Sequence, residues 1–276
     1  GRSTYRFFDP SMSVAASRRL VLASELWQAL AGNQLLLHYQ PQVDLLAGGV
    51  VGVEALVRWR HPQRGMISPA EFIPVAEETG LIIPLGHWVL LTACRQARAW
   101  MDAGIEMGEM AVNISAVQFR QPDFVQSVRR VLADTGLPAD RLELEITETA
   151  VMHSADSSVT TLSELKAMGV KLAIDDFGTG YSSLAYLRRF PIDRLKIDRT
   201  FVADLESDPE AASLVASIVA LGRSLGLRLV AEGVENAAQA AFLREIACER
   251  VQGFHFCRPG AAEHIALASP ELATSS

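Results

Sequence analysis

Lys171-Leu172-Ala173-Ile174-Asp175-Asp176-Phe177-Gly178-Thr179-Gly180 is a short apolar run that stops at two adjacent carboxylates and a glycine-rich turn. An apolar run of this length, bounded by turn residues, predicts a strand over 171–176. Neighbouring strand residues face opposite sides, so both aspartates reach one site only where the strand ends. Gly178 and Gly180 allow the following loop positive φ and a close approach to a ligand. Taken alone, the stretch also admits a plainer reading, an Asp-rich turn capping a helix over 181–189.

The same kind of ending recurs on either side. Glu54 closes VVGVE, Asn113 closes MAVN, and Glu145 lies inside LELEITE. Lys196 then closes RLK, Glu232 closes RLVAE, and Gln252 closes RVQ. Strands are predicted over 109–114, 142–147, 194–197, 228–232 and 249–253. Helices are predicted over 84–103, 121–135, 155–168, 209–225 and 236–246. Strand–helix repetition of this kind indicates a parallel sheet covered by helices.

The N-terminal part differs. Residues 11–31 read as an amphipathic helix with Leu20, Ala23, Trp27 and Leu30 on its apolar face. An apolar strand then runs to Pro41, and a turn at Ala47-Gly48-Gly49 leads into VVGVEALVRW. So short a connection makes these two strands antiparallel, since parallel pairing needs a crossover. Ser68-Pro69-Ala70-Glu71 marks a helix start, with Ser as N-cap and Glu three residues on, and Gly80 marks its end. The fold expected is α/β, a modified TIM (β/α)8 barrel of about eight strands with the first strand antiparallel. An open doubly wound sheet is the alternative.

Composition bounds the function. The 276 residues are 49% hydrophobic, which supplies one large core. A formal charge of −7 argues against polynucleotide partners, which need a basic patch. A small anionic substrate remains compatible where metal ions and local cations overcome that field. Cys94, Cys248 and Cys257 form no C-x-x-C pair, as expected of a reduced, cytoplasmic chain. No apolar stretch reaches membrane-spanning length, and the opening GRSTYRFFDP has no signal-peptide core.

A carboxylate in an apolar strand is costly unless it is paired or bound to a metal. Glu54, Asn113, Glu145 and Asp175, with no pair of Cys or His ligands, select hard ions such as Mg²⁺ or Mn²⁺ over structural Zn²⁺. His38, His61, His87, His153, His255 and His264 are scattered. Glu143 shares a strand face with Glu145, and Glu148 lies just beyond. Lys196 and Asp198 alternate onto one face; a simple ion pair is their plainer reading. Glu232 and Glu235 flank another glycine turn. Arg58 is either a bidentate phosphate clamp or a packing partner of Trp59.

Glu54-Ala55-Leu56, Arg58-Trp59, Asn113-Ile114-Ser115, Glu145-Ile146-Thr147-Glu148, Asp175 through Leu184, Lys196-Ile197-Asp198, Glu232-Gly233-Val234-Glu235 and Gln252-Gly253 together resemble the EAL-domain family. The resemblance covers roughly residues 30–268. It implies a phosphodiesterase that opens cyclic di-GMP to linear pGpG with two Mg²⁺ or Mn²⁺ ions. It further implies that Glu54, Asn113, Glu145, Asp175 and Asp176 hold the metals. Lys196 and Glu232 would position and deprotonate the attacking water, and Glu148 would hold the Asp-Phe-Gly loop. Gln40, Leu56, Arg58, Asp198, Glu235 and Gln252 would line the substrate and its surroundings. A cyclic di-GMP sensor that does not cut, and an enolase-like lyase, are the rival classes.

Tyr5-Arg6-Phe7-Phe8-Asp9-Pro10-Ser11-Met12 resembles the exit of a GGDEF domain. Residues 1–30 are accordingly expected to be the tail of an upstream GGDEF-like domain and a linker helix, with the EAL domain over 31–276. The resemblance also implies a homodimer, upstream sensory domains and a cytoplasmic domain. It leaves room for membrane anchoring of the full-length protein through segments outside this chain.

Overall fold

Alternation along each short strand sorts its side chains into two sets. Leu142, Leu144 and Ile146 are fully buried on one face, and Glu143 and Glu145 are equally buried on the other. Such a pattern requires apolar cover outside and charged partners inside. A computed structural model describes residues 10–178, 184–265 and 267 and shows how both needs are met.

In chain order the elements begin with α1 (Pro10–Ala31), β1 (Leu35–Asp44), β2 (Val50–His61), β3 (Gly65–Ile67), α2 (Pro69–Thr79) and α3 (Ile82–Asp102). Next come β4 (Glu109–Ile114), α4 (Ala116–Phe119), α5 (Phe124–Thr135), β5 (Leu142–Thr147), α6 (Glu148–Met152) and α7 (Ala155–Ala167). The chain continues through β6 (Lys171–Phe177), α8 (Leu184–Leu187), β7 (Arg194–Ile197), α9 (Arg199–Ala203) and α10 (Pro209–Ser224). It ends with β8 (Arg228–Ala231), α11 (Ala237–Glu245) and β9 (Arg250–Val251).

The chain divides into two compact units, one formed by residues up to Leu36 with Val57–Leu85, the other by Leu37–Leu56 with Gly86 onward. In the second unit, β2, β4, β5, β6, β7, β8 and β9 pair in parallel, and β1 runs antiparallel to β9. Pairing of β1 with β2 closes the sheet. This is the (β/α)8 barrel with a reversed first strand that the sequence predicts. Closure has a direct consequence, because side chains on strands that are not neighbours can meet only across the interior. Arg250 on β9 reaches Glu109 on β4 in this way, at 2.9 Å.

In the first unit α1 packs on α2. The buried face of α1 is Leu22, Leu26 and Ala29; of the face read from the sequence, Ala23 and Leu30 are half-buried while Leu20 and Trp27 are exposed. Two apolar stripes share helical spacing on α1, and periodicity alone does not say which one α2 will cover. Ser68 caps α2 as predicted, but its Oγ accepts from Ala70 N, and Glu71 pairs with Arg64 instead of completing a capping box.

Other boundaries moved as well. β1 runs through Pro41 to Asp44. The helix expected over 121–135 begins later, as α5, and α4, α6 and α9 are additional. The helix expected from 181 is α8, Leu184–Leu187, and Tyr181–Ser183 lie outside the described residues, as do Tyr5–Asp9. Among the described residues no helix is long and apolar enough to cross a membrane.

Candidate active site

Polar side chains gather near the C-terminal ends of the strands. Glu54 on β2 lies beside Ala111 of β4, Asn113 of β4 lies beside Glu145 of β5, and Thr147 lies beside Asp175 of β6. Lys196 on β7 brings them together. Its ammonium is 2.7 Å from Glu145, 3.3 Å from Asp175 and 4.0 Å from Glu54, and it also pairs with Glu232 just past β8. The side chains of Lys196 and Glu145 are at most 1% exposed. The simple Lys196–Asp198 ion pair is therefore not the arrangement found.

Electrostatics follow from this crowding. Burial opposes charge on Lys196, yet Asp175, Glu145, Glu232 and Glu54 outweigh it and hold its pKa well above the usual lysine range. Burial pushes Glu145 well up, against the pull of Lys196 and with the help of Glu54, Asp175 and Glu232. Burial likewise pushes Glu232 up to about 8. One ammonium does not balance so many carboxylates, so protons must fill the deficit unless other cations arrive.

The two aspartates both serve the mouth because β6 is irregular. The β6–β7 register shifts between Ile174 and Phe177, and Asp176 adopts φ +53°, unusual for a residue other than glycine. This bulge aims Asp176 at Asp198, with which it shares a hydrogen bond. Burial, with the charges of Asp175 and Asp198, raises Asp176 to about 6. Asp198 also caps α9, its carboxylate accepting from Thr200 N at 2.9 Å.

Gly178 follows at φ +97°, and its N–H donates to Glu148 Oε2 at 3.2 Å. A Cβ at Gly178 would sit 3.0 Å from the Phe201 ring. Glu148 thus grips the start of the Asp-Phe-Gly loop from α6. Gln252 after β9 donates to Glu54 and, at 3.0 Å, to Gln40 Oε1 on β1. Asn113 Nδ2 donates to the other Glu54 oxygen at 2.5 Å.

The remaining candidates are less central. Leu56 is half-buried two positions beyond Glu54, and Glu235 is exposed, its N–H bound by Gln239 Oε1 at 2.7 Å. Arg58 belongs to the first unit, where its guanidinium donates to Val57 O at 2.9 Å.

Sequence reading missed Gln118. This buried side chain closes a capping box with Ser115 at the start of α4, directly after Asn113. The signal was present as S-x-x-Q. Also missed was a second charged ring at the opposite end of the barrel, formed by Glu109, Glu143, Lys171, Arg194 and Arg250.

The mouth can be tested against divalent cations from its own atoms. Among the described residues no three His, Cys, Asp or Glu side chains already stand in a metal-holding group; Lys196 occupies the centre. Yet the donors are all oxygen, the carboxylates outnumber the cations, and Glu145 Oε1 is buried without a hydrogen-bond partner. Hard cations fit such a set.

The family model for the EAL domain matches residues 23–259. The chain belongs to the EAL family. A Pseudomonas aeruginosa protein named bifunctional diguanylate cyclase/cyclic di-GMP phosphodiesterase MucR is 51% identical over 265 residues, which is 96% of this chain and 39% of that protein. Cyclic di-GMP phosphodiesterase NbdA of the same organism is 48% identical over 94% of this chain and 33% of its own length. This EAL chain thus spans well under half of either relative. The solved structure titled PaMucR phosphodiesterase, c-di-GMP complex, superposes with a TM-score of 0.87 at 51% identity, covering 89% of this chain and all of that one.

Proposed function

We propose that this EAL chain hydrolyses cyclic di-GMP to linear pGpG, using two Mg²⁺ or Mn²⁺ ions held by Glu54, Asn113, Glu145, Asp175 and Asp176. One observation carries the reading: Glu54, Glu145, Asp175 and Glu232 gather on the single ammonium of Lys196, with a buried Glu145 oxygen left unpaired. The names and bound ligand of the relatives support the substrate. EAL phosphodiesterases generally depend on divalent metals.

Bound cations would acidify a water and neutralise the phosphodiester oxygens. The chain's own groups do the rest. Lys196 would orient the attacking water, and Glu232, held beside it by the Lys196 ammonium, would take its proton. Glu148 fixes the loop that carries Asp176 by holding Gly178 N–H. Leu56, Arg58, Asp198 and Glu235 line the dinucleotide, while Gln40 and Gln252 belong to its surroundings, on the side of Glu54.

Residues 1–30 are, on this reading, the tail of a GGDEF-like domain and its linker, with the EAL domain over 31–276. A homodimer and upstream sensory domains belong to the same proposal. Incubating the chain with cyclic di-GMP and Mg²⁺ or Mn²⁺ and separating the products tests it. The expected product is pGpG; intact, bound cyclic di-GMP would establish the non-cutting sensor instead.

A further inference from the structure

A carboxylate only accepts hydrogen bonds, so the nitrogen of any amide that touches it must face it. Gln252 Nε2 therefore faces Glu54 Oε2, and the same nitrogen donates to Gln40 Oε1 at 3.0 Å. With its oxygen so used, Gln40 donates through Nε2 to Cys257 O at 2.9 Å. The order is directional throughout. The Cys257 carbonyl fixes Gln40, Gln40 fixes Gln252, and Gln252 fixes Glu54.

The far end of this chain of amides is itself tied down. Tyr39 and Gly260 exchange two backbone hydrogen bonds, of 2.7 and 3.0 Å, which hold the loop after β9 against β1. Val234 N donates to Gln252 O at 3.1 Å, and His255 N donates to Val234 O at 3.0 Å. Gly253 is the residue that permits this lacing, since a Cβ there would fall 2.0 Å from Val234 O. The Glu232–Glu235 turn is thus laced by backbone hydrogen bonds to the loop that anchors Gln40.

Both oxygens of Glu54 are taken by amide donors, Oε1 by Asn113 and Oε2 by Gln252. Gln252 Oε1, by contrast, is buried and has no hydrogen-bond partner among the described residues. A buried acceptor left empty is costly, and a water ordered beside Glu54 would remove that cost.

We propose that Gln252 is a positioning residue that sets the plane of the Glu54 carboxylate, with Gln40 and the Cys257 carbonyl as its support, and not primarily a substrate contact. The inference rests on the metal-dependent reading above.

The test uses the complete chain carrying Gln252→Met, Gln40→Met or both, titrated calorimetrically with Mn²⁺ alone and then assayed on cyclic di-GMP at saturating Mn²⁺. Methionine keeps the length and removes the donors. Each single variant is expected to bind Mn²⁺ about 10- to 100-fold more weakly. The double variant should be little worse than Gln252→Met, because both act through one chain of bonds, and KM at saturating Mn²⁺ should stay within about threefold. Gln252→Asn, which keeps the amide on a shorter stem, gives the same reading if the methionine variant does not fold. Unchanged Mn²⁺ affinity with a raised KM would overturn the proposal and make both glutamines substrate contacts. A parent chain that binds Mn²⁺ but leaves cyclic di-GMP intact would overturn the activity and not this role. A parent chain that takes up no Mn²⁺ would overturn both.

Discussion

The two ends of the barrel interior are built from the same residue types with opposite charge balance. At the strand starts, Glu109 faces Arg194 at 3.1 Å, Arg250 at 2.9 Å and Lys171 at 2.5 Å, and Arg194 also pairs with Glu143. Two carboxylates there meet three cations. At the strand ends, Glu54, Glu145, Asp175 and Glu232 meet the single ammonium of Lys196. At the strand starts the cations outnumber the carboxylates, so no further cation is called for, whereas an anion-rich set calls for cations from outside. In (β/α)8 barrels function sits at the C-terminal face and stability at the other, and here the charge balance separates them.

The largest effects should come from breaking the mouth. Glu145→Ala or Asp175→Asn should lower hydrolysis of cyclic di-GMP on the order of 10³-fold, while Tm falls far less than for a change at the other end. Steady-state assays with paired melting curves check both halves. Wild-type turnover in either variant would mean that these are not the metal ligands.

Glu109→Ala is the mirror experiment. It leaves Arg194, Arg250 and Lys171 facing one another without their shared anion, a loss of about 3–5 kcal/mol for a broken buried pair. In a domain of this size that lowers Tm by roughly 10 °C. The folded fraction should keep its KM. If activity fell and Tm held, the assignment of the two ends would be reversed.

Lys196→Met sharpens the contrast. Without metal the remaining carboxylates repel, so the variant should melt below wild type; saturating Mn²⁺ should then raise its Tm more than that of wild type. Ligand at about 100 times its Kd contributes about 2.7 kcal/mol to a folded protein. An equal Mn²⁺ response in both proteins would place the ions away from Lys196.

The smallest effect is in pH. Arg194, Lys171 and Arg250 outweigh burial and hold Glu109 at about 2, against 4.5 unperturbed. Its contribution to stability is therefore complete above about 4.5 and is lost as pH falls towards 2. Glu232 is raised to about 8, so in metal-free protein its contribution is complete below about 4.5 and is lost as pH rises through 8. Melting curves in chelator across pH 3–9 should show Glu109→Gln flattening the acid limb and Glu232→Gln flattening the alkaline one. The opposite assignment would contradict the origin of both shifts.

Much of this was legible in the sequence, and the parts that were not share a cause. Acids at successive strand ends stand out because a period of two allows no apolar role for them, and Glu54, Glu145, Asp175 and Glu232 converge as that pattern requires. Glu109, Arg194 and Arg250 obey the same period, but at strand starts each reads as an ordinary exposed charge until closure brings β4, β7 and β9 together. The bulge that turns Asp176 inward depends on register with β7, which no local pattern encodes. The short helices α4, α6 and α9 fall below the length at which periodicity speaks. Leu22 and Leu26, rather than Leu20 and Trp27, are buried because α2 covers that stripe, a tertiary choice between equivalent local faces.

The central claim is that the anion excess at the mouth exists to gather divalent cations. Calorimetric titration of the purified chain with Mn²⁺ in the presence of cyclic di-GMP, set beside Glu145→Ala, tests it most directly. Uptake of about two ions per chain, lost in the variant, is the result predicted. No uptake, or equal uptake in the variant, would contradict it.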